Sequence, residues 1–139
     1  MALDYQISEP VTQRSIVADA GSRANALGYA SGGASVTQAT NRTTGVTITA
    51  LSGEITTNTA SLAAEASANF TVTNTLVALN DVVVVSIQSG TNGGNTAVSV
   101  VTVADGSFVI KVSNHNAAAG TAETGAIIIN FAVIKAVKA

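Results

Sequence analysis

The chain has 139 residues, enough for one domain with its own core and too few for two comfortable ones. Apolar residues make up 47%, aromatics 4% and charged residues 10%, with a formal net charge of −2; the charged share falls well below the usual value of about 25%. The lack of cysteine excludes disulfides, thiolate nucleophiles and Cys-based metal sites, and the scattered Lys and Arg form no basic stripe, so nucleic acid is not an expected partner.

Residues 1–34 read as an extended N-terminal arm. Neither helical nor strand period persists there, and the only proline, Pro10, biases Glu9 toward an extended backbone. Leu3-Asp4-Tyr5-Gln6-Ile7 alternates like a β segment. Leu3, Tyr5, Ile7, Val11, Ile16, Val17, Leu27 and Tyr29 are spaced apolar side chains that want a partner surface, and docking on another chain is the expected outcome. Folding back on the chain's own domain is the alternative. No apolar signal segment opens the chain, and the longest apolar stretches, around 82–85 and 126–134, are far shorter than the roughly 20 residues of a membrane span.

Residues 35–139 read as a sandwich domain. Ser35–Thr40 and Thr44–Ala50 come first, with Val46, Ile48 and Ala50 on one face. Ser52-Gly53 then reads as a two-residue hairpin signal leading into Glu54–Asn58. Ser61–Ala66 suits a short helical turn. Asn69–Thr75 alternates, with Phe70 and Val72 on one side and Thr71 and Thr73 on the other. The run Asp81–Ile87 is apolar in both registers, which predicts a central strand covered on both faces.

Gln88–Asn95 reads as a hairpin loop into Thr96–Val103, and Ala104-Asp105-Gly106 as a tight hairpin into Ser107–Ser113, with Phe108, Ile110 and Val112 inward. Asn114–Thr124 is a polar loop before the last strand, Ala126–Lys135. The whole predicts an all-β fold: a seven- to eight-stranded antiparallel sandwich, Greek-key or jelly-roll, behind the N-terminal arm. A strand-rich surface with little charge leaves edges open to pairing, which predicts an oligomer over a monomer.

Catalytic equipment is sparse. His115 is the only histidine, in a loop, with no nucleophile elbow anywhere in the chain. One His and no Cys exclude the usual zinc sets, and the eight carboxylates lie singly, without a calcium-loop pattern. Asn80-Asp81 and Asp105 read as turn residues. The glycine-rich stretch 89–94 lacks the Gly-Lys-Ser/Thr ending of a phosphate-binding loop. Asn41-Arg42-Thr43 and Asn69-Phe70-Thr71 fit the glycosylation sequon, a pattern frequent by chance. No enzyme activity, cofactor or metal is expected.

Six segments carry a family resemblance: Gly33–Thr47 (GASVTQATNRTTGVT), Ser52–Thr56 (SGEIT), Phe70–Asn74 (FTVTN), Asp81–Ser89 (DVVVVSIQS), Gly106–Asn114 (GSFVIKVSN) and Ile129–Lys135 (INFAVIK). Together they resemble small virion structural proteins of tailed bacteriophages. The resemblance implies a β-sandwich that forms a homotrimer, and virion context. The short arm, with no coiled-coil heptads or fibre shaft before the domain, favours a capsid decoration, or cement, protein over a tail-fibre module. The implied partner is the major capsid protein and the implied location the outer surface of the capsid. A host-recognition module using loops 88–95 and 114–124 is the rival expectation.

Overall fold

The structure, a computed structural model, describes residues 33–92, 95–117 and 120–136. Among them there is no helix, and so none long and apolar enough to cross a membrane. Eight strands follow in chain order: β1 (Ala34–Thr37), β2 (Val46–Thr47), β3 (Ser52–Thr56), β4 (Ser67–Thr73), β5 (Val82–Ser89), β6 (Thr96–Ala104), β7 (Ser107–Asn114) and β8 (Ile128–Ile134). They form two four-stranded sheets, ordered β1-β3-β8-β5 and β2-β4-β7-β6.

The apolar residues of alternate positions meet between the sheets. β4 shows the pattern cleanly: Ala68, Phe70 and Val72 are buried while Ser67, Asn69, Thr71 and Thr73 face out. Phe108, Ile110 and Val112 of β7 are buried, as are Ile129, Phe131 and Val133 of β8. Phe108 and Phe131 join the two sheets, with ring centroids 5.6 Å apart and planes tilted by 47°. Such burial stabilises by about 1.5–3 kcal/mol for each large side chain. The hydroxyl-rich outer faces follow directly from the Thr and Ser at the other positions of the alternation.

Both sheets are mixed, which corrects the expectation of a purely antiparallel sandwich. β1 pairs parallel with β3, and β2 with β4. The expected hairpin at Ser52-Gly53 is absent for the same reason. Residues 46–56 pass from one sheet to the other through a bend at Ala50 and Leu51: the Ile48 N–H reaches the Thr73 carbonyl in one sheet, and the Leu51 carbonyl accepts from Val133 in the other. Asn74, fully buried, holds this corner by donating from Nδ2 to the Ala50 carbonyl at 2.7 Å. Ser52 and Gly53 therefore open β3, and Gly53 serves close approach: a Cβ there would lie 2.3 Å from the Ala34 carbonyl oxygen.

The run from Asp81 to Ile87 is also corrected. β8 holds a central place in its sheet, and β5 lies at the edge with β8 as its one strand partner among the described residues. Val83 is buried, but Val82 and Val84 are 54% and 50% exposed. β5 and β6 lie in different sheets, so the loop expected as a hairpin over Gln88–Asn95 joins two sheets and closes no hairpin. Among the described residues the one hairpin is β6–β7, at Asp105-Gly106 as expected, with Gly106 at φ +78°. The expected helical turn at 61–66 is a tight turn closed by the Ala66 N–H on the Ala63 carbonyl, with Glu65 at φ 58°.

Candidate functional site

Leu3, Tyr5, Ile7, Val11, Ile16, Val17, Leu27 and Tyr29 lie outside the described residues. Within the described residues, three regions hold the features that bear on function: the two ends of the sandwich and the side formed by β5 and β6.

One end gathers the connections 38–45, 57–66, 89–95 and 115–127, because Thr37, Thr56, Ile128 and Ser89 share a level in one sheet and Thr96 and Asn114 in the other. Arg42 is buried there. Its Nη2 donates to the carbonyls of Glu123 (3.2 Å) and Gly125 (2.7 Å), its Nη1 to the Thr57 hydroxyl, and its Nε to the Ala60 carbonyl. Burial lowers the Arg42 pKa, and the charge of Glu123 opposes that shift. Gln38, also buried, donates from Nε2 to the Arg42 and Thr44 carbonyls and accepts from the Asn58 N–H.

Glu123 is fully buried beside this guanidinium. Its carboxylate accepts from the Thr96 hydroxyl at 2.6 Å and from the backbone N–H groups of Asn92 and Gly125 at 3.2 Å. Its own backbone bridges Leu62 in both directions. Asn114 donates to the Leu62 and Thr121 carbonyls. Gly90 and Gly125 pack backbone to backbone; a Cβ on Gly125 would stand 2.4 Å from the Gly90 oxygen. Buried charges persist only when paired and hydrogen-bonded, and here the partners are spent on tying loops together. The arrangement is a structural staple. Neither Arg42 nor Glu123 stands out in the sequence, because their partners are main-chain groups and two threonine hydroxyls up to 83 residues away.

The staple brings loops 88–95 and 114–124 onto one surface. Asn92 Nδ2 donates to the Thr124 hydroxyl, Asn95 Nδ2 to Asn116 Oδ1, and the His115 N–H to the Asn95 carbonyl. His115 itself is exposed. Asp105 lies at the other end of β7, about 25 Å away at strand rise. Those two residues therefore make no catalytic pair.

The opposite end holds Asp81 and Lys135. The Asp81 carboxylate accepts from the Lys135 ammonium and from the backbone N–H groups of Ala78 (2.8 Å) and Ala136 (3.1 Å). Burial works to raise the Asp81 pKa, but the Lys135 hydrogen bond, the two N–H groups and the Lys135 charge outweigh it, so the pKa is lowered. Asp81 thus fixes a turn, as the sequence suggests, and also clasps the end of β8. A cavity of about 350 Å³ over β1 and β3 is lined by Gly33, Ala34, Ser35, Gly53 and Glu54, whose single carboxylate offers no acid/base pair. Among the described residues, no three His, Asp or Glu side chains gather as a metal site, and no buried side-chain N or O lacks a hydrogen-bond partner.

The β5/β6 side differs from its counterpart. β1 and β2, the edges on the far side, have 4 and 2 residues; β5 and β6 have 8 and 9, all uncharged. Among the described residues, Leu76, Leu79, Val82, Val84, Val101 and Ile134 are the exposed large apolar ones, and all lie on β5, on β6, on the neighbouring β8 or in the connection leading into β5.

Comparison with known proteins returned no matching family model, no matching curated protein and no matching solved structure.

Proposed function

We propose that the chain is a non-enzymatic bacteriophage capsid decoration (cement) protein: a homotrimer on the outer surface of the capsid that clamps the major capsid protein through its N-terminal arms and stabilises the head. The body is a Greek-key or jelly-roll sandwich serving as an anchor, and Leu3, Tyr5, Ile7, Val11, Ile16, Val17, Leu27 and Tyr29 make the capsid contact. The observation that carries the reading is where the resembling segments fall. Ser52–Thr56 is β3, Asp81–Ser89 contains β5, Gly106–Asn114 contains β7, and Ile129–Lys135 supplies most of β8. The likeness to small virion proteins is thus a likeness of framework. The described polar groups support it too, since the buried ones are engaged in holding loops and strand ends.

Three arms joined through one trimer bind more tightly than the same arms unlinked, because the second and third contacts are intramolecular. An alternating segment such as Leu3-Asp4-Tyr5-Gln6-Ile7 suits strand addition to a capsid protein edge. The test is decoration of expanded heads by the full chain and by a chain lacking residues 1–32. The full chain saturates the heads and the shortened one does not; full occupancy by the shortened chain overturns the arm model.

A second reading, a host-recognition module of a tail fibre or spike, is favoured by one observation: the Glu123 staple unites loops 88–95 and 114–124 in a single amide-rich surface. Immunogold labelling of particles separates the two, with label on head faces supporting decoration and label at the tail tip supporting recognition.

A further inference from the structure

We infer that the β5/β6 side of the sandwich is the surface through which copies of this chain associate. This rests on the oligomeric part of the reading above and names the surface that part requires. Three observations converge on it. The edges differ in length, and short strands are one of the means by which soluble proteins blunt an edge; β1 and β2 have it, while β5 and β6 do not. Charge is the second such means, and neither Val82–Ser89 nor Thr96–Ala104 contains an Asp, Glu, Lys or Arg. Bulges, a third, occur late in β5 (between Ile87 and Ser89) and within β6 (between Val100 and Thr102). The first bulge leaves Val82–Ile87 regular, and the second turns an apolar residue outward, since Val101 is 47% exposed.

The occupant that fits is a second copy of the same chain. An edge strand presents alternating N–H and C=O groups, and a like strand supplies the complementary set. The surface carries no charge of its own, so apposing it to itself brings no like charges together. The ionic groups bordering it are balanced: Asp81 is paired with Lys135, and exposed Asp105 lies at the turn that leads into the strand bearing Lys111. A strongly charged partner would find nothing to engage.

The experiment is native mass spectrometry and light scattering of the full chain in isolation, across a concentration series. Val84→Lys/Val101→Lys changes two exposed side chains on the proposed surface; Ser35→Lys/Thr37→Lys changes two exposed ones on the far edge. The unsubstituted chain and the far-edge variant are expected to form the same oligomer. The surface variant is expected to dissociate about a hundredfold more readily, because association would bury unpaired ammonium groups. A surface variant that associates like the unsubstituted chain overturns the assignment while leaving the oligomer reading intact. An unsubstituted chain that stays monomeric, including one whose own N-terminal residues cover Val82 and Val84, overturns both. Hydrogen exchange on the unsubstituted chain keeps the test independent of any folding defect in the variants. Amides of Val82–Ile87 that do not hydrogen-bond to β8 should gain protection as the oligomer forms, and fast exchange in the assembled state overturns the inference.

Discussion

The Thr96 hydroxyl donates a 2.6 Å hydrogen bond to the Glu123 carboxylate, tying the first residue of β6 to a connection 27 residues further along the chain. The same carboxylate takes the N–H groups of Asn92 and Gly125. Replacing Glu123 with Ala removes the acceptor of three part-buried donors and the charge that faces the buried Arg42 guanidinium. The expected loss is about 3–5 kcal/mol of folding stability, with Glu123→Gln intermediate because its amide oxygen still accepts. Urea denaturation at neutral pH reads this directly; an unchanged midpoint for Glu123→Ala would mean that the carboxylate holds nothing.

Acid should weaken the fold through Asp81. Its pKa is lowered in the folded state, below the roughly 3.9 of an unfolded aspartate. Protons therefore bind the unfolded chain more readily, and the stabilisation is complete above the unfolded value and lost as pH falls through the folded one. Lys135→Met should shrink that acid-side loss and lower stability at neutral pH. Melting temperatures of both chains between pH 2 and 7 test the pair, and parallel curves would dismiss it.

Two glycines with positive φ should respond differently to alanine. Gly90 has φ +95°, and a Cβ there would lie 2.0 Å from the Ala126 oxygen. Gly106 has φ +78° with nothing within 4 Å of the added atom. Gly106→Ala pays only the left-handed backbone, about 1–2 kcal/mol. Gly90→Ala adds a backbone collision and should cost more than about 3 kcal/mol. Equal destabilisation of the two variants would contradict the close approach of the 89–95 and 115–127 connections.

Phe108 and Phe131 offer a measurement of how the sheets adhere. Each truncation to Ala should cost about 3–5 kcal/mol. Because the rings touch, the double variant should lose less than the sum, with a coupling of about 0.5–1.5 kcal/mol. Additive losses would argue that the rings pack independently.

What the sequence discloses about this protein is its local alternation. Phe70 and Val72, and Phe108, Ile110 and Val112, declare their buried faces by alternation, and Asp105-Gly106 declares its hairpin. What it hides is pairing. Four consecutive valines carry no period, so the edge position of β5 and the exposure of Val82 and Val84 are invisible from the run itself. Ser52-Gly53 imitates a turn because glycine also serves where two backbones crowd, as Gly53 does against Ala34. Arg42 sits inside a sequon-like triplet and Glu123 inside a polar loop. Both look like surface residues, and their burial depends on main-chain carbonyls and N–H groups that no spacing rule connects to them.

The position of β8 has a consequence for biogenesis. It lies between β3 and β5, which have no ladder to each other, so that half of the core waits for Ile128–Ile134 to be synthesised. During translation the β6–β7 hairpin and its β4 partner have what they need to assemble, while the valines of β5 emerge before β8, their strand partner. Completion of the domain therefore waits for β8 to insert, a step slow for the domain's size because its contacts are distant in sequence. In that interval the nascent chain is most exposed to mispairing with its siblings.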